Sequence, residues 1–362
     1  MTEDRSDYWK ERIEREFIRR PGSHLIQTGI TESGKTQGFF WLLEGITNCC
    51  PHNTVAWFDI GKSSEILRLH DFGPLHILTP QGMSVEVKSN RDLDITYQEV
   101  QDLRDVWDFL VPGRINVISF EPFILDPDIY GPLVGSIFTS LIRKAHRYEL
   151  RVPLDIIYDE FHRVCPAKGH GTNVKQSKYG SIIQHNVEKL RSSKIRFIVS
   201  THGWNKIRRG VKQSFNWKLV RRGSEFDSGK LKRYNPLWEK LDIDRSVMVF
   251  PNQTFSDKIE MFYYGEGEDL GRVYYRGEIL DPSQYAGDLG IPGSGDGDGD
   301  EDDVLVVREE MLDIREQILD LKSGLITQGP NERWNTEKTI EALQHDYSLL
   351  QIQLEELTGD VT

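Results

Sequence analysis

The sequence predicts an α/β protein, with a mostly parallel sheet flanked by helices and a C-terminal coiled-coil hairpin. Three observations lead there. Across residues 23–287, short runs rich in β-branched and aromatic residues alternate with helical patterns, the signature of βαβ units. Between one such run and one such helix stands TGITESGKTQG, from Thr28 to Gly38. Beyond residue 303, apolar residues recur three and four apart in two blocks broken by TQGPNER, which is a heptad pattern.

Taken in order, residues 1–22 predict a short helix with Trp9, Ile13 and Phe17 on one side, ended by RRPGS and docking on its own domain or, as the alternative, on a neighbouring subunit. In residues 23–287, HLIQTG, TVAWFDI, HILTP, INVISFE, LDIIYDE, IRFIVST, WKLVRRG and VMVFP predict strands. KTQGFFWLLEGITNCC, YQEVQDLRDVWDFLV, YGPLVGSIFTSLIRKAHRY and YGSIIQHNVEKLRSS predict helices. Residues 288–303, with GSGDGDGDEDD, repel themselves and bury nothing, so they predict a flexible acidic linker. Residues 304–362 carry the two stripes, Val304 to Leu325 and Ile340 to Leu357, which predict an antiparallel hairpin. Stripes of about three heptads are marginal alone, so packing on a protein partner or a sister subunit is expected.

Composition narrows the function. At 38% hydrophobic and 28% charged residues the chain has the balance of a soluble globular protein. No apolar run reaches membrane-spanning length, and the charged N-terminus is no secretory signal. Cys49, Cys50 and Cys165 suit neither a disulfide framework nor a zinc site. A cytoplasmic location is expected, whether the gene is cellular, viral or plasmid-borne. The net charge of −12 belongs to the tail: residues 288–362 hold 19 acidic and 5 basic side chains, leaving 38 and 40 in the body.

Gly29-Ile30-Thr31-Glu32-Ser33-Gly34-Lys35-Thr36 fits G-x-x-x-x-G-K-[ST], followed by Gln37. Backbone amides must wrap a phosphate chain, so glycines stand where side chains would obstruct it, and the following helix N-terminus attracts the anion. Lys35 is the candidate for the β- and γ-phosphates of ATP, and Thr36 for Mg²⁺. In PLDIIYDEF an apolar strand ends in Asp159, the candidate Mg²⁺ partner, and Glu160, the candidate general base. IRFIVS ends in Thr201 and His202, candidates for the γ-phosphate or the attacking water. Arg191, ahead of that strand, is either an arginine finger toward a neighbouring subunit or a solvated helix-end arginine.

The order of these segments resembles the HerA/FtsK superfamily of P-loop, RecA-like ATPases. The resemblance covers roughly residues 23–280 and includes AWFDIGKSSEI at the second strand, LRSSKIRFIVSTHGWNKI and KQSFNWKLVRRG. It implies an ATP- and Mg²⁺-dependent motor that pumps or packages double-stranded DNA, as a ring hexamer with DNA through its pore. It implies Walker A roles for Lys35 and Thr36, Walker B roles for Asp159 and Glu160, and a trans-acting role for Arg191. His202 stands where the family usually has glutamine, and Asp59 and Glu65 match acids of unassigned role. Because 22 residues precede SHLIQ, the smaller packaging or plasmid-type motors are the nearer members.

A nucleic-acid face is expected from two runs. Residues 206–233 hold ten Lys/Arg against Glu225 and Asp227, with Arg208, Arg209, Lys212, Arg221 and Arg222 as candidate DNA contacts. Residues 163–187 hold no acid, and AKGHGTNVKQSKYG predicts a mobile loop carrying Lys168, Lys175 and Lys178. The competing expectation is a partner-regulated NTPase of a secretion, pilus or conjugation-type assembly, with no DNA pumping. A small-molecule kinase is disfavoured, since no lid or acceptor site is recognisable.

Overall fold

A computed structural model describes residues 3–167, 174–227, 229–261, 270–286, 311, 314–315, 318–319, 321–322 and 330–358. The chain divides into two compact units, Met1–Leu289 and Gly290–Thr362.

In the first unit the strands are β1 (Leu25–Thr28), β2 (Thr54–Phe58), β3 (Leu75–Pro80), β4 (Ser84–Lys88), β5 (Ile95–Val100), β6 (Ile115–Ile118), β7 (Leu154–Tyr158), β8 (Ile195–Thr201), β9 (Trp217–Val220), β10 (Arg245–Val249), β11 (Ile259–Glu260) and β12 (Arg272–Arg276). Among the described residues, ten of them form one sheet in the order β11-β10-β9-β1-β8-β7-β2-β6-β3-β5. Its ladders are parallel from β9 to β5, and β10 and β11 add an antiparallel edge. β1, β2, β7 and β8 are buried at every position, as expected of strands covered by helices on both faces. The main helices are α1 (Glu3–Ile13), α2 (Lys35–Cys49), α3 (Ser63–Leu69), α4 (Pro127–His146) and α5 (Val174–Ser192). α1 runs into a wider turn at Glu14–Ile18 that buries Phe17 and Ile18, while Trp9 donates to Asp257 Oδ2.

Two expectations, a helix and a loop, are corrected, and one sheet was not anticipated. YQEVQDLRDVWDFLV is not a helix: Ile95–Val100 pairs with β3 and Leu103–Asp108 is a short 3₁₀ segment. Asp102 caps that segment by accepting from the Arg104 amide at 2.9 Å, which ends the strand and restarts the chain. Val100, Leu103, Val106 and Trp107 are buried, so the apolar spacing marked a core face and mistook its backbone. The second sheet, β4 with β12, went unread because its partners lie almost two hundred residues apart. In addition, Lys175 and Lys178 lie in the first turns of α5 rather than in a loop, and Lys168 lies outside the described residues.

In the second unit the helix Pro330–Thr358 carries the second apolar stripe, from Ile340 to Leu357. Residues 288–303, and most of the first stripe, lie outside the described residues.

Candidate nucleotide site

β1, β8, β7, β2 and β6 run parallel. Their carboxyl ends therefore place Gly29, His202, Asp159, Asp59 and Ser119 along one edge of the sheet, where ligands of open α/β folds bind. β1 and β7, which end in the phosphate-loop sequence and the acidic pair, are separated by β8 alone.

The loop is shaped for close approach. Gly34 is left-handed (φ +77°), and a Cβ there would fall 2.1 Å from Arg221 Nη2, so only glycine fits. Ile30, Thr31 and Glu32 are exposed at the rim, while Gly29, Ser33 and Lys35 are buried. α2 starts at Lys35 with no side-chain cap, which leaves its first amides facing the loop. Gln37 sits in that first turn.

Lys35 Nζ donates to Gly29 O at 3.1 Å, Ile30 O at 3.0 Å and His202 Nδ1 at 2.8 Å. On its other side the imidazole meets Glu160 Oε1 through Nε2. Accepting from an ammonium and donating to a carboxylate fixes the neutral tautomer with the proton on Nε2. Burial, then Lys35, holds the His202 pKa below its ordinary value, in keeping with that neutral form. Burial likewise lowers the pKa of Lys35.

Glu160 has a left-handed backbone (φ 58°), an uncommon state for a side chain-bearing residue that clusters at functional sites. Its carboxyl lies 3.4 Å from His162 Nδ1 as well. Burial, then the neighbouring Asp159, pushes the Glu160 pKa up to about 7, a value suited to a base working near neutrality. Asp159 behaves oppositely. Burial opposes its charge, yet the Lys62 ammonium at 2.8 Å and the Ser200 hydroxyl hold its pKa below the usual range. Thr36 Oγ1 donates to Glu65 Oε1 at 3.0 Å. A threonine hydroxyl and a carboxylate are the hard oxygen donors that suit Mg²⁺, so Thr36 and Asp159 fit that ion.

Thr201, though fully buried beside His202, donates its hydroxyl to Gly203 O at 3.0 Å and so serves its own turn. Arg191 is not brought to the site. It is exposed and ends α5 ahead of β8, so the length of that strand, on the order of 20 Å, separates it from the phosphate loop. There it joins Arg12, Arg15 and Arg20 around a groove of about 720 Å³.

Two candidate DNA contacts are corrected. Arg208 is 4% exposed and donates to Ser181 Oγ, and Arg221 is 1% exposed. Arg221 donates to Ser33 O at 2.9 Å and Ile243 O at 2.9 Å, so it braces the phosphate loop from behind. Lys212 is half-buried, with Asp227 at 3.3 Å and the Trp204 ring beneath it. Arg209 and Arg222 remain exposed. Two further residues had no role in the sequence reading. Lys62 follows Gly61 in the turn after β2, a position marked only by the pair Gly-Lys. Asp59, at the end of β2, accepts from Ser119 Oγ at 2.5 Å and from Tyr275 Oη at 2.9 Å.

No protein-family model matches the chain, and no curated protein matches it. Among solved structures it is similar to the genome packaging NTPase B204 from Sulfolobus turreted icosahedral virus 2 in complex with AMP, at 11% identity and a TM-score of 0.39, over 67% of this chain and 98% of that one. It is also similar to EssC (ATPases 2 and 3) from Geobacillus thermodenitrificans, at 12% identity and a TM-score of 0.39, over 68% of this chain and 41% of that one. A third is Thermomonospora curvata EccC (ATPases 2 and 3) in complex with a signal sequence peptide, at 13% identity and a TM-score of 0.37, over 69% of this chain and 38% of that one. Independently of these, a mostly parallel sheet, a glycine loop running from β1 into α2, and two acids closing β7 give the chain the α/β architecture of a P-loop NTPase.

Proposed function

We propose that the chain is a Mg²⁺-dependent ATPase that uses hydrolysis to move double-stranded DNA, as a translocation or packaging motor assembled into a homo-oligomeric ring, with six copies expected. One observation carries the ATPase reading: Lys35, Thr36, Asp159 and Glu160 converge at one sheet edge, with Glu160 linked to Lys35 through His202. Lys35 and the loop amides would hold the phosphates. Thr36 and Asp159 would hold Mg²⁺, which when bound neutralises charge developing on the phosphate oxygens. Glu160 would take the proton of the attacking water. Arg191, at the far edge of the sheet, would serve a neighbouring subunit's nucleotide rather than its own.

DNA contact falls to Lys206, Arg209, Arg222, Lys230, Lys232 and Arg233, which are exposed. The burial of Arg208 and Arg221 thins that face and keeps the second reading alive, a partner-regulated NTPase working through the C-terminal helix. The discriminating measurement is the steady-state ATPase rate with and without long double-stranded DNA, at low and moderate salt, beside Lys35→Ala. Stimulation that salt weakens and the variant lacks supports the motor. Turnover indifferent to DNA supports the partner-driven NTPase, and no turnover by the wild type overturns both.

A further inference from the structure

The magnesium position contains two residues for which the ATPase reading has no role. Lys62 lies in the turn after β2, at the head of α3. Its ammonium stands 2.8 Å from Asp159 Oδ2 and 3.3 Å from Glu65 Oε1. The same Glu65 oxygen accepts from Thr36 Oγ1 at 3.0 Å. Three separate elements thus deliver a hydroxyl and two carboxylates to one spot: α2 gives Thr36, α3 gives Glu65, and the end of β7 gives Asp159. A lysine ammonium is the cation among them.

The members differ in freedom. Glu65 and Asp159 are 7% and 6% exposed, fixed by their elements and by Thr36 and Ser200. The Lys62 side chain is 45% exposed and carries its charge on a flexible four-carbon stem. Buried carboxylates need a compensating charge, and here the compensating charge is the part that can leave. A compact divalent cation with a preference for hard oxygens competes for those same atoms.

We propose that Glu65 belongs to the magnesium position together with Thr36 and Asp159, and that Lys62 is a built-in cation that holds this position closed until metal and nucleotide displace it. The proposal rests on the reading of the loop as a Mg²⁺-nucleotide site. It predicts opposite effects from two neighbouring residues: removing Lys62 opens the position to the metal, and neutralising Glu65 weakens it.

The test is fluorescence binding of an N-methylanthraniloyl ATP to the full chain, first in EDTA and then through a Mg²⁺ titration. Wild type, Lys62→Met, Glu65→Gln and Lys35→Ala are compared, with folding checked by circular dichroism. Glu65→Gln is expected to raise the Mg²⁺ half-point by roughly 10-fold or more, the loss usual for residues that support a metal. Lys62→Met, on a half-exposed side chain, is expected to lower that half-point. Half-points that move the same way, or do not move, overturn the proposal. So does a Lys62→Met half-point equal to that of wild type if Glu65→Gln fails to fold. Failure of the wild type to bind nucleotide more tightly than Lys35→Ala overturns the nucleotide reading itself, and this proposal with it.

Discussion

β7 carries Asp155 and is followed at once by Asp159, four residues on, and β8 presents Arg196 opposite Asp155 and Ser200 beside Asp159. The spacing puts both pairs on one face of the sheet, yet the two ends of this strand pair do different things. At the amino end, Arg196 donates to Asp155 Oδ1 at 2.6 Å and to the Phe17 carbonyl at 2.6 Å, while Asn53 donates to Asp155 Oδ2 at 2.8 Å. Both charged side chains there are 0% exposed. At the carboxyl end, Glu65, Asp159 and Glu160 lie near Lys35 and Lys62, and burial raises both glutamates to about 7. A buried charge therefore does not by itself mark a site. Where charges are matched and sealed they fasten α1 and its following turn to the sheet. Where like charges are crowded and one counterion can leave, they are poised to receive a ligand.

The largest expected effects separate the two ends by readout. Glu160→Gln should cut ATP turnover by about 100- to 10,000-fold, the usual contribution of a general base, with ATP binding and thermal stability retained. Turnover at the wild-type rate would falsify the assignment of the base. Arg196→Met should do the reverse. Leaving Asp155 buried without its partner should lower the unfolding free energy by about 3–5 kcal/mol, seen as a lower denaturant midpoint, while the folded fraction still binds nucleotide. Replacing both partners, as Asp155→Leu with Arg196→Met, should recover part of that loss, because a sealed pair can be exchanged for packing.

A pH experiment, read as the difference between wild type and one variant, addresses the sealed end. His24 heads β1, with Nε2 at 2.7 Å from Val187 O and Nδ1 accepting the Phe197 amide at 3.1 Å. Burial lowers its pKa to about 4, from 6.5. The unfolded chain therefore binds more protons than the folded chain between those values. Stability from this residue is complete above pH 6.5 and is lost as pH falls through 4, amounting to about 3 kcal/mol. Chemical denaturation at pH 7 and pH 4.5 measures it, with His24→Asn as the non-titrating reference. An equal pH dependence in that variant would remove His24 as the cause.

The fold was legible where each level of the sequence agreed. β1, β2, β7 and β8 are continuous apolar runs, and the loop before α2 carries glycines and a lysine at fixed spacing. Lys35, Thr36, Asp159 and Glu160 came from that grammar. The errors arose where a residue type has two uses. Arg221 counts as positive charge in the chain but spends it on Ser33 O and Ile243 O. Tyr97 to Val111 has the spacing of a helix because strand and 3₁₀ segment happen to bury residues at similar intervals. Lys62, and the bridge of His202 between Lys35 and Glu160, depend on loops closing over the sheet edge, which no local spacing encodes. The β4–β12 pairing is equally silent, since its partners are distant in sequence.

The smallest predicted effect sharpens the comparison at the open end. Tyr275, on β12, donates to Asp59 Oδ2 at 2.9 Å and packs edge-on against Phe123. Asp59 also accepts from Ser119 Oγ and, at 2.9 Å, from the Gly61 amide, so it anchors the turn that leads to Lys62. Tyr275→Phe keeps the ring and removes one of three hydrogen bonds to that carboxylate. The expected loss of stability is about 1 kcal/mol, far less than at Arg196, because two donors remain. Its larger consequence should be positional: the turn loosens, and nucleotide affinity shifts a few-fold without loss of the fold. Denaturation and nucleotide binding on the same preparation measure both. A stability loss as large as that of Arg196→Met, with affinity unchanged, would place the Asp59 cluster among the sealed fastenings and confine the site to the loop, Lys62, Glu65 and the end of β7.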